Sequence, residues 1–173
     1  MTIFVDMDDV IADTYGKHIE IYNEEFNANL SKDTIHSGEV WQNAPIEHKQ
    51  NILSHAYRDG FFIDLSPMDD SIEVMKALYE KHEVYIASAA MQFPNSLREK
   101  SDWLAKYFPF IHWSHQILCG DKSILNGDLL IDDRSYNLKR FEGDTLLFSS
   151  PHNQHETEYD RMNSWKEIAA RLL

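Results

Sequence analysis

Acidic residues cluster directly after an apolar segment near the start of the chain. Residues 2–5 have the character of a buried strand. Asp6, Asp8 and Asp9 follow it within four positions. Carboxylates this close repel one another strongly unless a positive charge compensates them. Mg²⁺ takes oxygen ligands, so the segment predicts a metal-dependent acidic site at the end of the first strand.

Four further polar residues come at or shortly after the end of an apolar run, namely Ser88, Lys122, Asp132 and Asp133. If the runs are parallel strands, these side chains gather at the same edge of a sheet as the first acidic cluster. Taken singly, each has a structural explanation as a helix cap, a solvated charge or a turn. Their occurrence as an ordered set favours one shared site.

This set of side chains is suited to phosphoryl transfer, in which a protein mainly positions the reactants and neutralises charge. Asp6 could attack phosphorus as a carboxylate nucleophile and form an acyl phosphate. Asp8 could protonate the departing alkoxide and then activate the water that opens the acyl phosphate. Mg²⁺ would act as Lewis acid between Asp6, a phosphate oxygen and the second acidic pair. Ser88 and Lys122 would hold the phosphate oxygens.

Short apolar runs alternate with helical periodicity along most of the chain, which implies parallel strands joined by right-handed crossovers. The predicted fold class is therefore α/β, with a doubly wound, Rossmann-like parallel sheet as its core. The predicted strands are 2–5, 84–87, 117–119, 128–131 and 145–148, and the predicted helices are 10–27, 45–57, 72–81, 94–107 and a closing helix with Trp165, Ile168, Ala169 and Leu172 on one stripe.

A helical insertion is predicted after the first strand, because no strand signal of useful length lies between Asp13 and Pro67. We expect a core domain formed by residues 1–13 and 67–173, and a small helical cap formed by residues 14–66. Residues 60–67 are expected to be an extended aromatic passage back to the core. The apolar face of the second cap helix is expected to consist of Ile46, Ile52, Leu53 and Ala56.

The composition narrows the class of protein. The 173 residues suffice for one well-buried core with a small insertion, and the formal charge of −13 argues against a nucleic-acid polymer or an anionic membrane as partner. A small anionic substrate stays compatible with this charge if a metal makes the site locally positive. The single cysteine, Cys119, excludes an internal disulfide framework. With no secretory or membrane-spanning run, we expect a soluble cytoplasmic protein.

Two His-x-x-His pairs, His112 with His115 and His152 with His155, have a spacing seen at zinc sites. Both pairs fall in polar connecting segments, and neither has a third ligand at a tight spacing. We therefore expect solvated surface histidines rather than a metal site.

The ordered motifs resemble those of a known superfamily. Asp6-Met7-Asp8-Asp9-Val10, Ser88 after an apolar strand, Lys122, and Leu129-Leu130-Ile131-Asp132-Asp133 are similar to the four signature motifs of the haloacid dehalogenase (HAD) superfamily of phosphohydrolases. Within it the chain resembles the 5'(3')-deoxyribonucleotidase family, through the compact insertion, the passage from Gly60-Phe61-Phe62 to Pro67, and the segments 121–123 and 128–134.

The resemblance implies a Mg²⁺-dependent phosphatase of deoxyribonucleoside monophosphates that works in deoxyribonucleotide catabolism. It assigns Asp6 as nucleophile and Asp8 as general acid and base. The implied metal ligands are Asp6, the backbone carbonyl of Asp8, and Asp133, with Asp132 supporting the site. Sequence physics alone does not decide the order of Asp132 and Asp133.

Two departures from the family pattern affect the substrate site. This chain has Ser88-Ala89-Ala90 where the family often has Thr-Ser-Pro, and Thr14 where vertebrate members often place an aromatic residue. The aromatic residues of the insertion could stack a nucleobase or form the core of the cap; they are Trp41, Tyr57, Phe61 and Phe62. The expected substrate-binding set is Ser88, Lys122, Ala89, Trp41 and Phe61.

Two other functions remain open from the sequence. The first is the same chemistry on another small phosphorylated metabolite, because the cap selects the leaving group. The second is a non-catalytic metal-binding relative, although such a protein would be expected to have lost one of the chemical groups. The base and sugar preference, the choice between 5' and 3' esters, and homodimer formation also stay open.

Overall fold

A sheet of six parallel strands lies at the centre of the molecule, and the computed structural model describes residues 1–173. The strands are β1 (Thr2–Val5), β2 (Glu83–Ser88), β3 (Gln116–Leu118), β4 (Leu129–Asp132), β5 (Asp144–Phe148) and β6 (Arg161–Met162). The helices are α1 (Thr14–Phe26), α2 (Lys49–Ser54), α3 (Ser71–Lys81), α4 (Ser96–Tyr107), α5 (Ser135–Leu138) and α6 (Trp165–Leu172). Short 3₁₀ turns lie at Val40–Asn43, Ile46–His48, His55–Tyr57, Ala90–Gln92, Trp113–His115, Lys122–Ile124 and Pro151–Asn153.

The strand order is β3-β2-β1-β4-β5-β6, so the chain reverses its direction of winding at β1. In the register, Val5 pairs with Ile86 of β2 and with Ile131 of β4. Asp6 continues the pairing by donating its backbone N–H to the carbonyl of Ile131 at 2.9 Å. The order confirms the predicted doubly wound parallel sheet, and it places the residues after β1 at the switch point where such sheets bind ligands.

Both faces of β1 are covered, as a strand without polar alternation requires. Ile3 and Val5 belong to the main apolar cluster, whereas Phe4 packs into a second cluster on the other face. Two fully buried tryptophans fasten loops to this core. The indole N–H of Trp103 donates to the carbonyl of Leu65 at 2.8 Å, and that of Trp165 donates to the carbonyl of Val10 at 2.8 Å.

Residues 14–66 contain helices and turns but no strand, as predicted. They bury a separate apolar cluster of Tyr15, Ile19, Tyr22, Ile35, Val40 and Ile52. Helix α1 begins at Thr14 rather than at the predicted Val10, because Ile11 and Ala12 turn back and donate their N–H groups to the carbonyl of Met7. No helix of the structure has the length and apolar character needed to cross a bilayer.

Of the four residues predicted to form the apolar face of the second cap helix, the structure buries two. Ile52 and Ala56 are buried, but Ile46 is 71% exposed and Leu53 is 43% exposed. Ile46 lies in a 3₁₀ turn that precedes the short α2, so it does not continue the α-helical stripe of Ile52. Leu53 lies within α2, directly after the buried Ile52, and is on a different side of the helix.

The passage from Gly60 to Pro67 was predicted to be extended, but it begins as a series of turns. Gly60 has φ +87°, a left-handed conformation that glycine adopts without steric cost. The carboxylate of Glu99 on α4 accepts the backbone N–H groups of Gly60 at 2.6 Å and Phe62 at 3.0 Å. Two backbone donors gathered on one carboxylate require a compact turn. The sixth strand was also missed, since it has only two residues and one of them is Arg161.

Candidate active site

The nucleophile candidate lies at the centre of the sheet edge, directly after β1. Asp6 is buried, and its Oδ1 lies 2.6 Å from Nζ of Lys122. The same ammonium group lies 2.6 Å from Oδ2 of Asp132. Lys122 reaches this position from a 3₁₀ turn in which the side chain of Asp121 accepts the backbone N–H of Ser123. The structure therefore brings together three of the predicted motifs, although the first lies more than a hundred residues before the other two in the chain.

The electrostatics of the edge are dominated by burial. Burial raises the pKa of the Asp6 carboxyl well above its usual range, although Lys122 opposes the shift. Burial lowers the pKa of Lys122, but the carboxylates of Asp6 and Asp132 outweigh it, so the net shift is upward. Burial also raises the pKa of Asp133 strongly, against the opposing charge of Arg134. The buried lysine thus compensates only part of the negative charge.

A divalent cation fits the remaining charge. Carboxylate oxygens of Asp6, Asp132 and Asp133 lie within 4.8 Å of one another, and all three residues are buried. Mg²⁺ and similar hard cations bind such oxygen clusters. The donors already bound to the second acidic pair distinguish its two members, a question that the sequence left open.

Both oxygens of Asp132 have protein donors. Oδ1 accepts from the backbone N–H of Arg134 at 2.9 Å and from the amide of Asn137 at 3.0 Å. Oδ2 accepts from Lys122 at 2.6 Å. Asp133, in contrast, has hydrogen-bond or ion-pair partners only at Oδ2, so its Oδ1 has no protein donor.

His152 contradicts the expectation of a solvated histidine. It is only 7% exposed, and its Nε2 lies 2.7 Å from Oδ2 of Asp133. A capped 3₁₀ turn holds it there, since Asn153 donates its side-chain amide to the carbonyl of Asp133 at 2.8 Å. The signal that could have located it is the one used for Ser88, because His152 shortly follows the apolar run of β5.

The other three histidines of the pairs lie away from this cluster. His112 and His155 are exposed, as expected. His115 is half-buried, stacks on Tyr85 with ring centroids 4.4 Å apart, and has Nδ1 3.0 Å from the carbonyl of Val84. His112, His115 and His155 belong to no cluster of three ligand atoms, whereas Asp9, Asp133 and His152 bring ligand atoms within 4.8 Å of one another.

Asp9 shapes the loop after the first strand. It has φ 55°, in the left-handed region, and its Oδ1 accepts from the hydroxyl of Thr14 at 2.6 Å and the backbone N–H of Tyr15 at 2.7 Å. Burial raises the pKa of Asp9, although both of these hydrogen bonds oppose the shift. Asp9 thus connects the acidic loop to the start of α1.

The sequence analysis missed Lys100, which holds the side chain of Asp8. Its Nζ lies 2.5 Å from Oδ2 of Asp8 and 2.9 Å from Oγ of Ser88. Lys100 is fully buried, and its ammonium lies 4.6 Å from the ring centroid of Phe62. The available signal was its position three residues before Trp103 on an amphipathic helix, which places a charge on the apolar stripe. The other carboxylate oxygen of Asp8, Oδ1, is buried without a hydrogen-bond partner.

A cavity of about 550 Å³ opens above the acidic edge, within the range of small-molecule sites. Its floor includes Asp6, Asp8, Lys122 and Asp133, and its walls include Ala89, Trp41, Phe61, Phe62 and Thr14. Tyr57 does not line it and is 60% exposed. Ser88 is fully buried behind this surface, where its hydroxyl accepts from Lys100.

The rim of the cavity joins the insertion to the loops of the core. Arg134 Nη1 lies 2.5 Å from Oε1 of Glu39, and Arg134 Nε lies 3.4 Å from Oδ2 of Asp133. Gly38 donates its backbone N–H to the carbonyl of Pro151 at 2.9 Å. Burial alone would raise the pKa of Glu39, but Arg134 outweighs it and the net pKa is lowered. The rim is thus held by one ion pair and one backbone hydrogen bond.

The fold is similar to that of haloacid dehalogenase-like hydrolases of known structure. A HAD family hydrolase from Deinococcus radiodurans R1, with bound phosphate and sodium, has a TM-score of 0.65 at 13% identity, and the match covers 99% of this chain and 94% of that chain. The HAD-hydrolase YfnB from Bacillus subtilis, bound to magnesium, has a TM-score of 0.59 at 15% identity, and the match covers 99% and 97%.

The chain belongs to the family described as 5' nucleotidase, deoxy (pyrimidine), cytosolic type C protein (NT5C), which it matches over residues 1–173. A 5'(3')-deoxyribonucleotidase from Bacillus subtilis is 37% identical over 177 aligned residues, covering 99% of this chain and 98% of the relative. These matches confirm the family resemblance inferred from the motifs. They identify the protein as a phosphoric monoester hydrolase.

Proposed function

We propose that this protein removes phosphate from deoxyribonucleoside monophosphates through an aspartyl phosphate formed on Asp6. The observation that carries the proposal is the pairing of Asp6 with Lys122 at the floor of a cavity with aromatic walls. The proposal covers 5' esters first and 3' esters second, because the name of the Bacillus subtilis relative includes both positions.

The proposed cofactor is Mg²⁺, held by the side chains of Asp6 and Asp133 and by the backbone carbonyl of Asp8. Asp133 is preferred over Asp132 as ligand, because Asp132 already accepts from Lys122, Asn137 and the backbone of Arg134. When bound, the ion would neutralise charge on the phosphate and act as a Lewis acid. The magnesium in the related YfnB structure supports this choice of ion.

In the first step, a carboxylate oxygen of Asp6 attacks phosphorus, and the bond between phosphorus and the nucleoside oxygen breaks. Asp8 gives its proton to that oxygen, so the nucleoside leaves as an alcohol. Lys122 neutralises the phosphoryl oxygens as a compact point charge. In the second step, water attacks phosphorus and passes a proton to Asp8, which releases inorganic phosphate and restores the Asp6 carboxylate.

Two further assignments belong to this proposal. Lys100 is a positioning residue, because its ammonium donates hydrogen bonds to Oδ2 of Asp8 and to Ser88 and leaves Oδ1 of Asp8 without a protein partner. Ala89 lies at the phosphate end of the site, with Ser88 buried behind it, and Trp41 and Phe61 lie at its nucleoside end. Residues 14–66 act as the cap that selects the leaving group, and residues 1–13 and 67–173 act as the catalytic core.

The proposal is tested with a substrate panel and one variant. Purified protein with Mg²⁺ should release phosphate from 5'-deoxynucleotides faster than from ribonucleotides or sugar phosphates. Asp6→Asn should keep its fold and lose activity by several orders of magnitude, because it removes the nucleophile of a unit that acts together. The control is Asp69→Asn, which changes an exposed aspartate remote from the cavity.

Different results would separate the alternatives. Preference for sugar phosphates would replace the nucleotide assignment with that of a metabolite phosphatase. Equal activity of wild type and Asp6→Asn on p-nitrophenyl phosphate would refute the mechanism. No phosphate release from any ester would leave a metal-binding protein without turnover.

A further inference from the structure

Two histidines of the insertion form a pair that the proposed reaction does not use. His18 on α1 and His55 in a 3₁₀ turn place their Nδ1 atoms 3.2 Å apart, with stacked rings. Two imidazole nitrogens at this distance need one N–H and one lone pair between them, because each ring nitrogen is either a donor or an acceptor. The other partners of the pair decide which histidine is the donor.

Those partners fix the tautomer of His55. Its Nε2 lies 3.0 Å from Oδ1 of Asn51 and 3.5 Å from Oε2 of Glu25, and both of these atoms accept hydrogen bonds. The Asn51 side chain presents its oxygen, not its amide N–H groups, to His55. His55 therefore carries its hydrogen on Nε2, and in the neutral ring Nδ1 has the lone pair.

Both rings are neutral at pH 7. Burial, with Arg58 adding to it, lowers the pKa of His55 to about 4. Burial, with His55 adding to it, lowers the pKa of His18 to about 4. His18 consequently donates from Nδ1 to His55, and this leaves the lone pair of the His18 ring on Nε2.

The free lone pair belongs to a residue that lines the substrate cavity. His18 is a lining residue together with Phe61, and their ring centroids lie 4.8 Å apart. Nε2 of His18 makes no hydrogen bond within the protein, and it is not among the buried polar atoms that lack a partner. The atom is thus accessible on a residue of the cavity wall.

We propose that Nε2 of His18 accepts a hydrogen bond from the nucleoside part of the substrate, either from an N–H of the base or from the 3'-hydroxyl of the sugar. This inference rests on the proposed nucleotide substrate and names one source of its specificity. A substrate with a lone pair at the same point is disfavoured, because two acceptors then face each other without a hydrogen.

The tautomer is tested directly by long-range ¹H–¹⁵N NMR of protein labelled at histidine. We expect His18 to be protonated on Nδ1 and unprotonated on Nε2 in the free protein. Thymidine 5'-monophosphate added to Asp6→Asn with Mg²⁺ should shift the Nε2 signal, whereas inorganic phosphate should not. A hydrogen on Nε2 of His18 in the free protein would overturn the inference.

Kinetics identify the donor. His18→Phe should lower kcat/KM for thymidine 5'-monophosphate by about tenfold, mainly through KM, which corresponds to one hydrogen bond. His18→Gln should retain part of the wild-type kcat/KM, since the carbonyl of the glutamine side chain can accept a hydrogen bond. The control is His36→Gln, which changes an exposed histidine of the insertion and should have the kcat/KM of wild type. If His18→Phe loses kcat/KM with thymidylate but not with deoxycytidylate, the ring N–H of the base is the donor to His18. If His18→Phe loses kcat/KM with both nucleotides but not with a 2',3'-dideoxynucleotide, the 3'-hydroxyl of the sugar is the donor.

The aryl ester p-nitrophenyl phosphate separates failure of this inference from failure of the proposed function. It has no nucleoside donor, so His18→Phe should hydrolyse it as wild type does. Equal losses on the aryl ester and on all nucleotides would show a purely structural role for His18 and overturn the inference alone. If wild type hydrolyses the aryl ester but no deoxynucleotide, the proposed function and the inference fail together.

Discussion

The floor and the walls of the cavity are built in different ways. The floor consists of side chains at strand ends, held by buried ion pairs such as Lys122 with Asp6 and Lys100 with Asp8. The walls that come from residues 14–66 consist of short helices and turns, and their polar contacts include the neutral pair of His18 and His55 and the partly exposed ion pair of Glu39 with Arg134. A parallel sheet fixes the floor in register, whereas no strand fixes the walls.

This difference suggests a division of labour. Buried charges in register with a sheet edge are suited to a reaction that needs one fixed geometry. Residues in walls made from short helices and turns can be substituted without disturbing the geometry of the floor, so the walls are suited to substrate selection. Substitutions in the floor should therefore change rate and metal binding, and substitutions in the walls should change substrate preference and local stability.

The largest effect that tests this division is expected at Lys100. Lys100→Met should lower kcat/KM for a deoxynucleotide by about 100-fold, the scale of general acid catalysis, because Asp8 loses the cation that orients it. The loss on p-nitrophenyl phosphate should be much smaller, since its leaving group needs no proton. Lys76→Met, at an exposed position of α3, is the control. Equal losses on both esters would mean that Lys100 acts only on the fold.

A smaller effect is expected at His152, which contacts the proposed ligand Asp133. His152→Gln should weaken Mg²⁺ binding by about 10- to 100-fold, as removal of such supporting contacts does at other metal sites. Isothermal titration and the rise in Tm with added Mg²⁺ would measure this without turnover. His155→Gln, at an exposed position, should bind as wild type does. Unchanged affinity in His152→Gln would separate His152 from the metal site.

The smallest effect concerns the walls and appears as a dependence of stability on pH. The pKa of His55 is lowered to about 4 from 6.5, so between these values the unfolded chain binds a proton that the folded chain does not. Stability is therefore lost as the pH falls through this window. Between pH 7 and pH 5, the free energy of unfolding should fall by about 1 to 2 kcal/mol less in His55→Gln than in wild type. Urea unfolding at the two pH values measures this difference.

The control for this comparison is His36→Gln, which changes an exposed histidine in the same insertion and should follow wild type. Parallel stability profiles for wild type and His55→Gln would contradict a neutral, buried His55. They would also remove the basis for the direction of the hydrogen bond between His18 and His55.

The sequence predicted the floor better than the walls, for a physical reason. Asp6, Lys122 and Asp132 lie at or shortly after strand ends, and parallel strands bring their carboxyl ends to one edge of the sheet regardless of the loop conformations. Lys100 and His152 could not be assigned in the same way. The place of Lys100 in the site depends on which face of α4 is buried, and that of His152 depends on where the loop after β5 packs. The local sequence pattern determines neither.

The walls were harder to predict because their positions depend on contacts between distant segments. The turn at Gly60 depends on Glu99, which lies 39 residues later in the chain. The exposure of Ile46 depends on a change from 3₁₀ to α geometry that apolar spacing does not reveal. The division into a core of 1–13 and 67–173 and a cap of 14–66 stays a prediction, as do the roles given to individual site residues.

The ion pair of Glu39 with Arg134 has a consequence for the passage of molecules. Both side chains line the cavity and are partly exposed, so dissolved salt weakens their attraction far more than it weakens the enclosed pair of Lys122 and Asp6. We expect a nucleotide to enter and a nucleoside to leave across this rim. Ionic strength should therefore govern how quickly molecules are exchanged before it affects the bond-breaking step.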